Sequence, residues 1–125
     1  MKKLNSIAFD FVPEQLHQLQ PAIKPMFGCH ALYVENKIML ILRKKENDTE
    51  DNGVWIATTP EHHPSLKKFF PSLRSIRLFG PGESGWQILP EDADDFEESV
   101  MRVCDLIIHR DPRIGKIPKE KKKKR

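Results

Sequence analysis

Cysteine is scarce: Cys29 and Cys104 are the only two in 125 residues. Two thiols cannot build the disulfide framework of a small secreted domain. No apolar run approaches the roughly 20 residues that a membrane-spanning helix needs. The N-terminus, MKKLNSIAFDFVPEQ, starts with two lysines but meets Asp10 and Glu14 before any long apolar stretch, unlike a secretion signal. A cytoplasmic protein with no membrane partner is therefore expected. There is no internal repeat, and the paired ligand sets of structural zinc are missing. The candidate ligands are Cys29 with His30, His62 with His63, and Cys104 with His109. Neighbours on a strand point to opposite faces, and a five-residue separation is off the i,i+4 register of a helix, so no metal is expected.

What is present suits one packed domain. Apolar residues make up 38% of the chain, with seven phenylalanines and two tryptophans, which is too many for a disordered polymer. The formal charge of +3 is unevenly divided. Residues 1–115 hold 14 basic and 17 acidic side chains; residues 116–125, KIPKEKKKKR, hold seven basic and one acidic. The expected organisation is a domain over 1–115 and a disordered basic tail over 116–125, so the high pI says nothing about a basic face on the domain.

Gly80, Gly82 and Gly85 in LFGPGESGWQILPE match the dinucleotide fingerprint G-x-G-x-x-G. That pattern binds pyrophosphate only between a strand and a helix. Here RSIRLF precedes it and WQIL follows, both alternating as strands, with Pro81 between the first two glycines. The stretch predicts a β-hairpin and no nucleotide cofactor. Upstream, PEQLHQLQ predicts a short helix closed by Pro21 and Pro25. Two strands follow, the first around Ala31 and Tyr33 and the second from Ile38 to Leu42, joined by a tight turn in which Asn36 takes positive φ. VWIATT makes a third strand, and SLKKFF a helix capped by Ser65 and stopped by Pro71. The last element is a helix over 92–109, capped by Asp92, with Phe96, Val100, Val103 and Ile107 as its apolar stripe. The expected fold is two-layer α+β, in the order α-β(3)-α-β(2)-α. A five-stranded antiparallel sheet would carry the helices on one face.

This order, with KPMFGCHALYVENKIMLIL after the first helix, resembles the N-terminal domain of the TfoX/Sxy competence-regulator family. Lys24, Met26, Phe27, Gly28, Leu32, Tyr33 and Val34 fall on its motif, while Cys29 and Ala31 stand where that family has glycines. The stretches VWIATTPEHHPSLKKFFPSL and GWQILPEDADDFEESV are similar to the related YjbR/MmcQ domains. The resemblance covers roughly residues 10–110. It implies a role in transcriptional regulation, brings little enzymology, and through the YjbR-like domains implies DNA among the partners. The fullest TfoX members carry a second, C-terminal domain, whereas the residues after Pro112 read here as tail. Met26 and Phe27 need no activity to explain them, since both residue types bury readily, and Gly28 permits a bulge or close backbone approach.

No catalytic constellation emerges. Cys29 beside His30 lacks an orienting partner. Asp92, Asp94, Asp95, Glu97 and Glu98 suit the N-terminal end of a helix dipole. Three partner classes follow. One is an unidentified protein, bound at a sheet edge or on the helix-free face, where exposed Trp or Phe would mark it. A second copy of the chain, making a homodimer, is another. The third is nucleic acid, bound weakly and without sequence preference through Lys119, Lys121, Lys122, Lys123, Lys124 and Arg125. Lys67, Lys68, Arg74 and Arg77, near Phe69, Phe70 and Trp86, would extend that basic surface.

Overall fold

The computed structural model describes residues 7–78 and 85–117. In chain order these form α1 (Phe11–Gln15), β1 (Ala22–Met26), β2 (Cys29–Val34), β3 (Lys37–Arg43), β4 (Gly53–Ala57), α2 (His63–Phe69), β5 (Arg74–Ser75), β6 (Trp86–Pro90) and α3 (Phe96–Ile108). Single 3-10 turns lie at His17–Leu19, Thr49–Asp51 and Pro60–His62. The strands make one open antiparallel sheet in the order β1-β2-β3-β4-β6-β5. The α+β class and the antiparallel sheet are as expected, but the described residues contain six strands, not five.

The additional strand is β1, in a stretch whose two prolines suggested only a helix ending. Its pairing shows why Pro25 is tolerated. Met26 faces Cys29 across the two-residue turn Phe27-Gly28, and Pro25 faces His30. A two-residue turn makes its flanking pair the hydrogen-bonded one, so Pro25 falls in the alternate pair, where an N–H would point away from β2. On an edge strand that direction is solvent, and the missing donor costs nothing within the sheet.

Other boundaries also move. α1 starts at Phe11, before Pro13, and the chain then tightens into a 3-10 turn. Positive φ in the β2–β3 turn falls on Glu35, not Asn36. α2 begins at His63, so Ser65 lies inside it and does not cap it. α3 begins at Phe96; Asp92 lies in the preceding turns, and Asp95 at the N-cap accepts a hydrogen bond from Ser72 Oγ at 2.9 Å. The strand expected over RSIRLF shrinks to Arg74–Ser75, because the buried Asp51 carboxylate captures the next two free amides. Its Oδ2 accepts from the backbone N–H of both Arg77 and Leu78 at 2.8 Å. Those amides are then no longer available to the ladder. β5 still pairs antiparallel with β6, as the hairpin expectation requires. Gly80 and Gly82 lie outside the described residues.

The side chains sort by strand alternation into two clusters. The first joins Leu32, Val34, Leu40, Leu42, Val54, Ile56 and Leu89 to buried residues of all three helices. The α3 stripe of Phe96, Val100, Val103 and Ile107 is buried there as expected, each aliphatic member contributing about 1.5–3 kcal/mol relative to exposure. The second cluster draws on the opposite face of the sheet: Cys29, Ala31, Ile38, Ile41, Trp55, Ala57 and Ile88, with Ile76. A bulge divides the apolar run of β3 between them. Leu32 pairs with Leu40 but Tyr33 with Ile38, leaving Met39 as the extra residue, so Met39 and Leu40 both join the first cluster and Ile38 the second. Beyond α3 the chain returns to the sheet, where Lys116 and Ile38 exchange backbone hydrogen bonds of 3.0 and 2.9 Å.

Candidate functional site

The second cluster is where the fold exposes something useful. Among the described residues its aromatic and aliphatic side chains come from the sheet and the segment after β5, and no helix covers them. Over it lies a groove of about 220 Å³. Cys29, Ile41 and Trp55, all buried, make the floor, with half-buried Met26 beside them. Phe27 and Leu78 stand at the rim, 89% and 44% exposed.

Phe27 was expected in the core. Register and backbone place it elsewhere: it occupies the first position of the β1–β2 turn, with φ +53°, followed by Gly28 at φ +80°. Two successive positive φ values suit the right-handed twist of a hairpin, which is why such turns prefer Asn-Gly. A phenylalanine there pays a Cβ clash of about 1–2 kcal/mol, and its exposed ring recovers little of that through burial.

The floor is rigid. Trp55 Nε1 donates to the Asp51 carbonyl at 2.9 Å, and the Trp55 and Trp86 rings lie 6.0 Å apart at a tilt of 58°. Arg43 and Lys45 also line the groove. The Arg43 guanidinium is committed to loop closure, donating to the Asp48 carbonyl and to Asn52 Oδ1, each at 2.9 Å. Asn52 in turn clamps the Lys45 backbone, accepting from its N–H at 2.9 Å and donating to its carbonyl at 2.8 Å. The Lys45 side chain lies against Gly28, where an added Cβ would come within 2.9 Å of Nζ. Its ammonium has no carboxylate partner among the described residues. A further cation, Lys24, shares this face through its pairing with Ala31, its Nζ 5.0 Å from the centre of the Tyr33 ring.

The other sequence candidates disperse. Cys29 and His30 point to opposite sides of β2. Burial pushes the Cys29 thiol up, against the pull of Lys45 and Arg43, so it stays protonated at neutral pH. Cys104, on the buried face of α3, has its pKa pushed up to about 12, while His109 is exposed and bonded to the Asp105 carbonyl. Among the described residues no group of three or more His, Cys, Asp or Glu is placed to hold a metal ion. No described helix is long and apolar enough to cross a membrane. Of the expected basic edge, Arg74 is held by Asp51, 3.2 Å away, and by the Glu50 carbonyl. Phe70 is in the core, and Phe69 lies under Arg113, whose guanidinium is 5.0 Å from its ring centre. Lys119 to Arg125 lie outside the described residues. A larger recess of about 580 Å³ between α1 and α3 is open and walled mainly by exposed Glu14, Gln15 and Glu97, so it is the poorer socket.

Asp51 and Lys45, the organisers of this site, were missed in the sequence because both sit in the charged loop KENDTEDNG, where nothing distinguishes them from solvated neighbours. No family model, curated protein or solved structure matches the chain.

Proposed function

We propose that this is a non-catalytic protein-interaction domain of the TfoX/Sxy N-terminal kind, cytoplasmic and serving transcriptional regulation, and that the groove beside Phe27 is its binding surface. One observation carries the reading. A large aromatic side chain stands almost wholly exposed at a turn position that penalises it, at the lip of an apolar recess. Strained, exposed aromatics held beside a rigid apolar floor are a feature of binding sites, where the energy lost in folding is recovered on contact.

The test is a random-peptide library displayed on phage and panned against the full chain. Enriched sequences should bind wild type and lose binding to Phe27→Asn, a substitution that suits the turn. Equal retention on both proteins would remove the groove as the binding surface. A second reading, sequence-blind nucleic-acid binding, is favoured by one specific feature, the seven basic residues among the last ten. Its experiment is truncation after Ile117, which should abolish binding to any duplex.

A further inference from the structure

We infer that the groove receives an acidic peptide segment, seating one large apolar side chain between Phe27 and Leu78 and setting a carboxylate against Lys45. The inference rests on reading this face as an interaction surface, and it adds the chemistry of the occupant. Size comes first. At about 220 Å³ the groove is smaller than the roughly 300–1,000 Å³ of sites that engulf drug-sized ligands. That volume suits one leucine- or phenylalanine-sized side chain, and its buried floor of Cys29, Ile41 and Trp55 offers such a side chain apolar contact.

Charge then selects the partner. Among the described residues no carboxylate lines the groove, and Asp51, buried nearby, is already committed to Arg74 and two backbone amides. Lys45 lines the groove, its backbone clamped by Asn52 and its side chain against Gly28, with its ammonium unpaired among the described residues. Lys24 adds a second cation on the same face. A cation lining an apolar socket favours a ligand that carries both an apolar group and a nearby anion, and it disfavours a basic one. The same charges oppose a second copy. A symmetric contact through this groove would bring each Lys45 toward its equivalent, or toward the other copy's Lys24. A nucleic-acid backbone needs a series of free cations, and here Arg43 and Arg74 are consumed by Asn52 and Asp51.

The experiment is NMR titration of the isotope-labelled full chain with three blocked hexapeptides. The first has one phenylalanine among glutamates, the second replaces the glutamates by lysine, and the third replaces the phenylalanine by serine. The first peptide should move the amide signals of Met26 to Cys29 and of Lys45, and the indole N–H of Trp55. The lysine and serine peptides should each bind about tenfold more weakly or worse, and Lys45→Gln should weaken the first peptide by about tenfold without lowering the melting temperature. If the lysine peptide fills the groove as tightly as the first, the acidic partner is overturned while the groove survives as an interaction surface. If the acidic peptide moves only the tail signals of Lys119 to Arg125, the inference is overturned as mere tail electrostatics. A DNA duplex moving the groove signals, or sedimentation showing a wild-type dimer that Phe27→Asn dissolves, would reassign the occupant and overturn it as well. Silence at the groove with all three peptides sinks both this inference and the reading beneath it.

Discussion

Phe27 sets two requirements against each other at a single residue. The turn wants an amino acid that tolerates positive φ, and the exposed lip carries an aromatic ring instead. If the ring serves binding and not folding, its removal must stabilise the free protein. Phe27→Asn places the residue favoured at that turn position and gives up almost no buried area. The expected gain is about 0.5–1 kcal/mol, which in a domain of this size raises the melting temperature by about 2–6 °C in calorimetry. A lowered midpoint would mean that the ring packs in solution and that Phe27 is structural. The same residue explains what the sequence concealed. Phenylalanine beside methionine reads as core, and Asn-Gly in place of Phe-Gly would have announced the hairpin at once. Asp51 was equally hidden. Its importance lies in reaching the Arg77 and Leu78 amides, a contact 26 and 27 residues away in sequence that no local pattern encodes.

Elements were legible in proportion to how many residues repeat the same message. The α3 stripe spans three turns at helical spacing, and the structure buries all four of its apolar positions. The α3 N-terminus was placed four residues too early because the acids of 92–95 satisfy the preference of a first helical turn as well as of the turns that precede one. β1 was invisible for the opposite reason: five mostly exposed residues, one of them proline, show no alternation of burial. Yet that proline has a use at the sheet edge. The outward-facing backbone positions of β1 are Ile23 and Pro25, and only Ile23 offers an N–H. A strand edge with half its donors missing is a poor template for another strand. Pro25→Val restores the donor and adds a β-former. Its expected effect is concentration-dependent self-association, seen as a rise in sedimentation coefficient at about 100 μM, with little change in the melting temperature at low concentration. A variant as monomeric as wild type would show that the edge is protected by something other than its proline.

Over the whole molecule the deciding fact is how charge is divided between body and tail. The described fold runs as far as the backbone exchange between Lys116 and Ile38, so a chain ending at Ile117 keeps every described contact. That truncation removes six basic residues and one acid, Lys119, Lys121 to Lys124 and Arg125 with Glu120, taking the formal charge from +3 to −2. Within the body, Arg43, Arg74, Arg110 and Arg113 are bonded to Asn52, Asp51, Glu35 and Asp111. Those four guanidiniums are therefore occupied, and the body as a whole carries more acids than bases. If nucleic acid is bound at all, the tail must supply the attraction, and lysines on a tail read phosphates without reading bases. The full chain should then bind unrelated duplexes equally. The logarithm of its affinity should fall with the logarithm of salt concentration at a slope no steeper than about −5, the limit for six neutralised phosphates. Residues 1–117 should bind none of them at 50 mM salt in an anisotropy titration, while still binding peptide at the groove. Duplex binding that survives the truncation, or that prefers one sequence, would place a nucleic-acid site on the folded body, and the helix-free face with Lys24 and Lys45 would be the surface to search first. Loss of peptide binding on truncation would instead join tail and groove into a single acidic-ligand site, because only the tail, with its excess of cations, separates the two chains.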